Sequence, residues 1–479
     1  MVPTPENRDA DVVVVGAGLA GHAAALAAAE AGAAVVLLEK GESYGGTSAK
    51  AGGGLVFAGT DLQQAAGVDD DEDALRATLL AAGGGHADPA TVEAYVDHQR
   101  ATYGWMVGHG VRFDYDPDLQ PGQLNRLHGT PPGHAVDVLH ARVAEHPGVQ
   151  YVASAAADRL LRGDDRVTGI LLDSGAELHA SRGVVLSSGG FTRSDDLLAV
   201  FAPQWLPTTR MGGDHNTGDG LRMAWELGAG LADMSRIEAS FGASVPAFPL
   251  LVDPEGGEPT LLFATTQGAV VVNRHGERFV DESLSYKKIS SACVLQPDGL
   301  AFQVFDERVM RRSQPTPGPA DFRRALEEGR VLTAPTLTGL ATQLGLPADA
   351  LERTVRRYNE GVDAGVDAEH GRPVVDRGGP GAARVEEAPF YAYPCRSGLT
   401  TTYCGLTVDR RLRVLDVWRR PIEGLWAAGE VVGGFHGASY YSGSALGKAA
   451  VLGRAAGLDA AGVPPVGTSA VGTAPADGR

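Results

Sequence analysis

Two adjacent tyrosines interrupt a glycine-rich turn near the end of the chain, in the stretch GASYYSGSALGKAAVLGR from Gly437 to Arg454. Small residues are expected in such a turn, so the phenols of Tyr440 and Tyr441 raise the question of chemistry. A neutral phenol can donate a hydrogen bond to a ketone oxygen and stabilise the negative charge that enolisation places there. A second phenol can accept the adjacent proton if its surroundings favour phenolate. The stretch therefore predicts a loop that presents hydroxyl groups to a substrate, followed by a helix.

The elements that would position such a site begin with a strand, a glycine motif, a helix and a second strand. The apolar run from Asp11 to Val15 predicts a buried parallel strand, and a GxGxxG motif follows it at Gly16, Gly18 and Gly21. The glycines allow a tight turn and close approach of a pyrophosphate, while the helix N-terminus supplies amide donors. Glu39 ends the second strand, where it can accept from an adenosine ribose hydroxyl and disfavours a ribose 2′-phosphate. The pattern predicts a dinucleotide-binding unit.

A second glycine-rich loop decides between NAD and FAD. It follows Glu39 directly, as GESYGGTSAKAGGGL from Gly41 to Leu55. An extended cofactor with a large flavin ring needs such a second cradle, whereas an NAD domain usually does not. Two later strands end in glycines, at Val184–Phe191 and Gly424–Gly434, and no second complete GxGxxG unit occurs in the interior. The sequence therefore predicts FAD and argues against a separate NAD(P)H domain.

Composition and charge exclude several other classes of protein. A chain of 479 residues with 43% hydrophobic content predicts two or three domains with a large core. The net charge of −18 argues against a nucleic-acid partner, because phosphate binding needs a basic face. The cysteines, Cys293, Cys395 and Cys404, lack CxxC spacing, which predicts neither a disulfide framework nor a metal site. With no membrane-span run and no signal-peptide pattern visible, a cytoplasmic protein is the expectation.

The chain resembles the flavoprotein family of fumarate reductases and succinate dehydrogenases, which also contains the 3-ketosteroid dehydrogenases. The motifs that carry the resemblance, in family order, are GAGLAGHAAALAAAEAGAAVVLLEK, GGTSAKAGGG, VVLSSGGF, NTGDGLRMAWELGA, NRHGERFVDES and GLWAAGEVVGG. The resemblance implies an α/β fold with a Rossmann-like FAD-binding domain, formed by residues 1–234 and 376–462, and an inserted α+β substrate-capping domain at residues 235–375. Residues 463–479, rich in Gly, Pro, Ala and Ser, are expected to form a flexible tail.

The resemblance also implies which residues contact FAD. Matched to the family motifs, they are Gly16, Gly18, Ala20, Gly21, Glu39, Lys40, Gly46, Thr47, Ser48, Gly53, Gly54, Gly190, Asp219, Gly429, Glu430, Ser444, Ala445 and Leu446. Some members of the family attach FAD covalently to a histidine of the second loop. Residues 41–55 contain no histidine, so the FAD is expected to be non-covalent.

Three charged groups of the family's dicarboxylate pattern are absent from this chain. The fumarate reductase pattern H-G-x-N-R-x-G-G-N-A has an arginine, a bidentate clamp for a carboxylate, where this chain has Tyr440. Tyr286 stands in place of the proton-donating arginine of N-E-x-x-x-R, and Thr401 in place of a histidine. Activity on fumarate or succinate is therefore not expected.

The ketosteroid dehydrogenases show the complementary pattern. Their F-x-N-E-S-L-x-Y motif is similar to Phe279–Tyr286, with Asp281 for the asparagine, and they carry a tyrosine in the late glycine-rich turn. In them one phenol polarises the ketone, the other removes the adjacent proton, and the flavin accepts a hydride from the β-carbon. The implied catalytic candidates are Tyr286, Tyr440, Tyr441, Ser442 and Gly443. Lys287 and Lys288 are candidate assistants of the two phenols, and Ser442 is a candidate for this assisting role as well. Either tyrosine of the turn can face the substrate.

The predicted function is an FAD-dependent dehydrogenase that introduces a C=C bond next to a ketone of an alicyclic or steroid-like substrate. Its electrons would pass to an external acceptor. The YYSG turn differs from the Tyr-Pro-Gly turn of the Δ1-dehydrogenases, so a Δ4-(5α)-type enzyme or a smaller cyclic-ketone desaturase fits at least as well. The first alternative is an ene reductase that runs the reverse reaction on a non-dicarboxylate enone. The second is a flavin-binding redox carrier or assembly component without a substrate pocket, against which Tyr286 and Tyr440 argue.

Overall fold

The computed structural model describes residues 10–118, 125–245, 248–249, 259–315, 318–374 and 383–464. The strands are β1 (Ala10–Val15), β2 (Val35–Leu38), β3 (Gly54–Val56), β4 (Leu127–Gly129), β5 (Val149–Val152), β6 (Ala157–Arg162), β7 (Val167–Leu172), β8 (Glu177–Leu186), β9 (Thr209–Arg210), β10 (Leu231–Ala232), β11 (Ser240–Ser244), β12 (Val270–Val272), β13 (Leu300–Phe305), β14 (Leu332–Ala334), β15 (Phe390–Leu399), β16 (Gly405–Leu406), β17 (Arg413–Leu415) and β18 (Pro421–Ala427). The α-helices are α1 (Leu19–Glu30), α2 (Gly46–Lys50), α3 (Asp61–Ala65), α4 (Glu72–Ala82), α5 (Pro89–His109), α6 (His134–Glu145), α7 (Asp195–Phe201), α8 (Asp219–Glu226), α9 (Tyr286–Cys293), α10 (Glu307–Met310), α11 (Phe322–Glu327), α12 (Leu337–Leu344), α13 (Ala348–Ala364) and α14 (Ser444–Ala460). Over these ranges, none of the helices is both long enough and apolar enough to cross a membrane. The tail predicted at 463–479 lies outside the described residues from residue 465 onward.

The N-terminal strand, glycine turn, helix and second strand form as predicted. Strand β1 is buried from Val12 to Val15 and pairs in parallel with β2, with Val12 opposite Val35. Gly16 turns the chain between β1 and α1 with a φ of +100°, a conformation that favours glycine. The alanine-rich α1 is buried on all sides as far as Ala29, so its small side chains let it pack between neighbouring elements.

The main sheet of the first compact unit joins segments from both ends of the chain. Its strand order is β17-β18-β8-β1-β2-β5, in which only β17 runs antiparallel to its neighbour. The long strand β8 pairs with β7 near its start and with β1 toward its end. Because β1 lies near the N-terminus and β18 near the C-terminus, the edge of this sheet receives loops from both. The α/β class is confirmed.

Helix α14 brings the end of the tyrosine turn to this sheet by packing closely on α1. A Cβ at Gly453 would lie 2.4 Å from the backbone oxygen of Ala20, and one at Gly457 would lie 2.1 Å from that of Ala24. Only glycine permits this approach of the two helix backbones. The first residue of α14, Ser444, follows the tyrosine turn directly.

The second compact unit contains a mixed sheet between two apolar clusters. Strand β15 pairs antiparallel with β11, β13 and β14 and parallel with β9, while β12 pairs with β13. One cluster contains Phe305 and Tyr393 and receives α9, α10 and α11; the other contains Phe302 and receives α12 and α13. The alternation of buried side chains along β13 and β15 places successive residues in opposite clusters.

A buried ion-pair network fixes the segment that leads into α9. Arg278 donates to both carboxylate oxygens of Glu282, at 2.8 and 2.7 Å, and to those of Asp367, at 3.0 and 2.8 Å. The ring of Tyr358 lies 4.9 Å from the guanidinium carbon of Arg278. Charges buried this deeply are tolerated because each is paired and hydrogen-bonded. Glu282 lies shortly before Tyr286, which is the first residue of α9.

The chain divides into two compact units, whose bounds can be compared with those of the predicted domains. The first unit contains the residues up to Leu197, Gly212–Ile237 and the residues from Thr401 on; the second contains Leu198–Met211 and Glu238–Thr400. The second unit extends past the predicted boundary at residue 375 because β15 forms backbone hydrogen bonds with β11 and β13. It also includes the segment around β9, which pairs with β15. The functional roles of the two domains stay predictions.

Candidate active site

The glycine turn after β1 has the geometry that an anionic ligand requires. A Cβ at Gly21 would lie 1.9 Å from the backbone oxygen of Gly16, and one at Gly16 would lie 2.7 Å from that of Ser187. Helix α1 begins at the N-cap Gly18 without a capping side chain and has no acidic residue in its first turn. The amides at this helix end are therefore suited to binding a phosphate group. Ser48, from the second loop, accepts the amide N–H of Leu19 at 3.2 Å.

Glu39 lies at the end of β2, beside the same turn. Its carboxylate accepts the amide N–H of Ala17 at 3.0 Å and that of Gly41 at 2.9 Å. Each carboxylate oxygen has two lone pairs, so both can accept a further hydrogen bond from a hydroxyl. This placement suits the predicted role of Glu39 toward a ribose.

Lys40 and Asp219, two of the predicted FAD contacts from different motifs, form an ion pair. The Nζ of Lys40 lies 2.6 Å from a carboxylate oxygen of Asp219 and 2.6 Å from the hydroxyl of Thr217. Asp219 is the first residue of α8, after the N-cap Gly218 with a φ of +82°. The two side chains are partly exposed, so this pair orients its residues more than it stabilises the fold.

The second glycine-rich loop contains the short helix α2 and then packs against β4. Thr47, in α2, accepts the amide N–H of Gly213 at 3.0 Å. A Cβ at Gly53, where φ is +84°, would lie 1.8 Å from the backbone oxygen of Thr130, and one at Gly54 would lie 2.5 Å from a methyl carbon of Leu127. Gly53 thus allows close approach of the backbone at Thr130, and Gly54 leaves room for the side chain of Leu127. Gly46 starts α2 with a positive φ.

Glu430 lies at the centre of a polar cluster, and the sequence motifs predict only some of its residues. It accepts from the side-chain amide of Asn216 at 2.8 Å and from the amide N–H of Thr402 at 2.9 Å. A Cβ at Gly190 would lie 2.4 Å from a carboxylate oxygen of Glu430, and one at Gly429 would lie 2.8 Å from the Cβ of Ala20. Asn216 was the missed member, although it begins the NTGDG motif that carries Asp219.

The tyrosine turn is closed by its own side chains. The hydroxyl oxygen of Tyr440 accepts the amide N–H of Gly443 at 2.8 Å. Its ring stacks on Tyr403, with the centroids 5.1 Å apart, and lies against His436 at 5.5 Å. Ser444 then starts α14 and donates through its hydroxyl to the backbone oxygen of Tyr441 at 2.5 Å. Ser442 is exposed, and Ala445 and Leu446 follow as partly buried residues of α14.

The buried arginine Arg126, which no sequence motif indicates, interacts electrostatically with Tyr441. Arg126 precedes β4 and contacts Asp70 through two hydrogen bonds of 2.7 and 2.6 Å, with a third to Thr78 at 2.7 Å. Burial opposes the charge of Arg126, but its hydrogen bonds to Asp70, together with the electrostatic influence of Asp70 and Tyr441, raise its pKa above the ordinary value.

Tyr286 has its own surroundings in the second unit. It begins α9, after the N-cap Ser285, and its ring stacks on Phe263 with a centroid distance of 5.4 Å. Burial raises the pKa of Tyr286, and the carboxylate of Glu238 raises it further. The side chain is therefore a neutral phenol at neutral pH unless another group compensates the charge of the phenolate.

Comparisons with known proteins agree over nearly the whole chain. Residues 11–446 match the family described as FAD binding domain. The chain is 31% identical to a fumarate reductase (cytochrome) of Shewanella frigidimarina, over 94% of this chain and 77% of the relative. It is 30% identical to the 4-oxocyclohexanecarboxylate 2-dehydrogenase of Sinomonas cyclohexanicum, over 96% of this chain and 94% of that enzyme. The solved structure of the 3-ketosteroid-delta4-(5alpha)-dehydrogenase of Rhodococcus jostii RHA1 is similar with a TM-score of 0.73 and 28% identity, covering 96% of this chain and 98% of that one.

The residues of the first unit fit FAD. The N-terminus of α1, whose N-cap Gly18 has no side chain and whose first turn has no acidic residue, suits the pyrophosphate, and Glu39 retains acceptor capacity for a ribose hydroxyl. Close approach at Gly21 and Gly190 leaves no room for side chains there. The chain therefore belongs to the FAD-binding family that these enzymes share, and it is an FAD-dependent oxidoreductase that acts on carbon–carbon bonds.

Proposed function

We propose that the protein is a dehydrogenase that introduces a C=C bond α,β to a ketone of an alicyclic or steroid-like substrate. The observation that carries this proposal is the pairing of Tyr440 with the amide of Gly443, in the turn where the dicarboxylate enzymes have an arginine. A phenol suits a neutral ketone, whereas an arginine suits a carboxylate. The similarity to a 4-oxocyclohexanecarboxylate dehydrogenase and to a 3-ketosteroid dehydrogenase supports the same substrate class.

Tyr440 polarises the ketone oxygen in this proposal. Because its hydroxyl oxygen accepts the N–H of Gly443, its own O–H becomes a stronger donor through hydrogen-bond cooperativity. The stacked ring of Tyr403 keeps the phenol in a fixed orientation. A preoriented donor stabilises the negative charge that develops on the ketone oxygen without reorganising during the reaction.

Tyr286 removes the proton next to the ketone, with Tyr441 and Ser442 as neighbours of the polarising group. FAD, when bound, supplies the two-electron acceptor chemistry that forms the double bond. We also propose that residues 235–375, which include Tyr286, serve as the substrate-capping domain that the resemblance implies. The electrons then leave to an external acceptor. We also propose that the FAD is non-covalent, because the loop at residues 41–55 has no histidine.

A second candidate function is an ene reductase that runs the same chemistry in reverse on a non-dicarboxylate enone. The similarity to a fumarate reductase favours this direction. The same phenols would serve, with Tyr286 delivering a proton instead of accepting one.

A substrate panel tests both functions. Saturated 3-ketosteroids and cyclohexanones should bleach the oxidised flavin and turn over with an artificial electron acceptor. Enones should instead reoxidise a chemically reduced flavin if the enzyme is a reductase. Succinate and fumarate serve as the negative arm, and turnover of either acid at a rate comparable with the best ketone would contradict the proposed substrate class.

A further inference from the structure

Lys287, a buried lysine, lies beside Tyr286 in the structure. Lys287 is the second residue of α9 and is only 8% exposed. Its Nζ lies 5.4 Å from the centroid of the Tyr286 ring and 3.4 Å from the hydroxyl of Ser240 on β11. The next residue, Lys288, is exposed. Of the two lysines, Lys287 is therefore buried beside Tyr286 and Lys288 faces solvent.

We infer that Lys287 is the positioning residue that allows Tyr286 to accept a proton, by keeping a positive charge over the ring of Tyr286 when that phenol is ionised. This inference rests on the proposed function, in which Tyr286 is the proton acceptor. An ammonium over an aromatic face is attracted to the ring, and the attraction grows when the oxygen of the ring carries negative charge.

The charges around the pair support this role. Burial lowers the pKa of Lys287 to about 8, and the carboxylate of Glu238 opposes that effect. Helix α9 packs against β11, which has no charged residue, and against β15, where Arg396 and the Cys395 thiol lie. Arg396 lowers the pKa of the Cys293 thiol, and Cys293 in turn raises that of Cys395. Glu238 raises the pKa of both Tyr286 and Lys287.

In this inference the two groups lose their protons as a pair rather than one by one, because the Nζ of Lys287 lies 5.4 Å from the centroid of the Tyr286 ring. The pair starts as neutral phenol and ammonium, and it releases its first proton to solvent at the lower of the two pKa values, which is that of Lys287. The remaining proton can reside on the nitrogen, which leaves the oxygen of Tyr286 as phenolate. That oxygen then forms a bond to the α-proton of the ketone. The broken C–H bond leaves its electron pair on the α-carbon and the ketone oxygen as an enolate, so the step is redox-neutral.

Solvent exchange of the α-hydrogen measures this step without turnover. The FAD-loaded full-length protein is incubated anaerobically, without an electron acceptor, in deuterated buffer with cyclohexanone or 5α-androstane-3,17-dione. Deuterium uptake is measured by mass spectrometry across the neutral and alkaline range, with the uncatalysed rate subtracted. The wild-type rate should rise with pH through a midpoint near 8, the pKa of Lys287.

Four variants separate the inference from the proposed function. Lys287→Met should raise the midpoint by about 1–3 pH units, the usual effect of losing one adjacent charge. Lys287→Arg keeps the charge and should keep exchange at neutral pH. Lys288→Met, the matched control, should leave the profile unchanged. Tyr286→Phe should lower exchange by ~10²–10⁴ at every pH, the usual scale for a lost general base.

Each contrary outcome has its own meaning. A wild-type pH profile in Lys287→Met, or a wild-type midpoint in the range of an unassisted tyrosine, would overturn the role of Lys287 while leaving Tyr286 as the base. The second of these results needs no variant, so it decides the matter even if Lys287→Met fails to fold. Normal exchange in Tyr286→Phe would instead overturn the proposed function itself.

Discussion

At the scale of single residues, the two phenols of the tyrosine turn have different partners. Tyr440 accepts the amide N–H of Gly443, whereas Tyr441 interacts electrostatically with the buried guanidinium of Arg126. Tyr440→Phe removes the proposed donor to the ketone and keeps the ring that stacks on Tyr403. We expect ketone-dependent flavin reduction to fall by ~10²–10³, the scale for one lost oxyanion donor, with weaker ketone binding. Anaerobic stopped-flow absorbance over a range of ketone concentrations measures both quantities.

Tyr441→Phe is the matched control for that change, because it removes a phenol from the same turn. Its effect should be much smaller than that of Tyr440→Phe, since Arg126 remains paired with Asp70. If Tyr441→Phe is the damaging variant and Tyr440→Phe is silent, the ketone faces Tyr441 and not Tyr440.

At the scale of elements, the contact between α1 and α14 connects the FAD turn with the tyrosine turn. Gly457→Ala would place a Cβ 2.1 Å from the backbone oxygen of Ala24, so one helix must move. We expect a loss of about 1–3 kcal/mol in the free energy of unfolding, typical of overpacking, together with weaker FAD binding. Chemical denaturation and flavin titration of the apoprotein measure the two effects.

A glycine with open space provides the control for that prediction. No atom lies within 4 Å of a Cβ built at Gly104, inside α5. Gly104→Ala should therefore stabilise the protein by roughly 0.5–1 kcal/mol through helix propensity alone. Equal stabilisation by Gly457→Ala would show that α1 and α14 are not in close backbone contact.

At the scale of the whole molecule, the absence of a histidine at residues 41–55 predicts how the FAD is retained. Acid precipitation should release all of the flavin into the supernatant, because backbone amides and polar side chains bind it only while the protein is folded. Mass spectrometry of the denatured protein should give the mass of the unmodified chain. Flavin that stays with the precipitate would contradict non-covalent binding.

Local motifs are sufficient to predict the FAD-binding unit of this chain. A buried apolar run, a GxGxxG turn, an alanine-rich helix and a second strand ending in Glu39 are local patterns, and each predicts its element from short-range physical chemistry. The order of the later motifs likewise indicates the family and a sheet formed from both ends of the chain. The edges of the second unit are harder to predict, because β15 belongs to it only through backbone pairing with distant strands.

By itself, the sequence thus determined the fold class, the cofactor and the residue types of the candidate site. Only the tertiary structure decided which of those residues meet, since burial and contacts between distant residues depend on packing and not on local pattern. It placed Arg126 against Asp70 and Asn216 against Glu430, pairs that no motif spacing connects. It also distinguished Lys287 from Lys288: the two are neighbours of one type in the sequence, but the direction of a helix face buries the first and exposes the second.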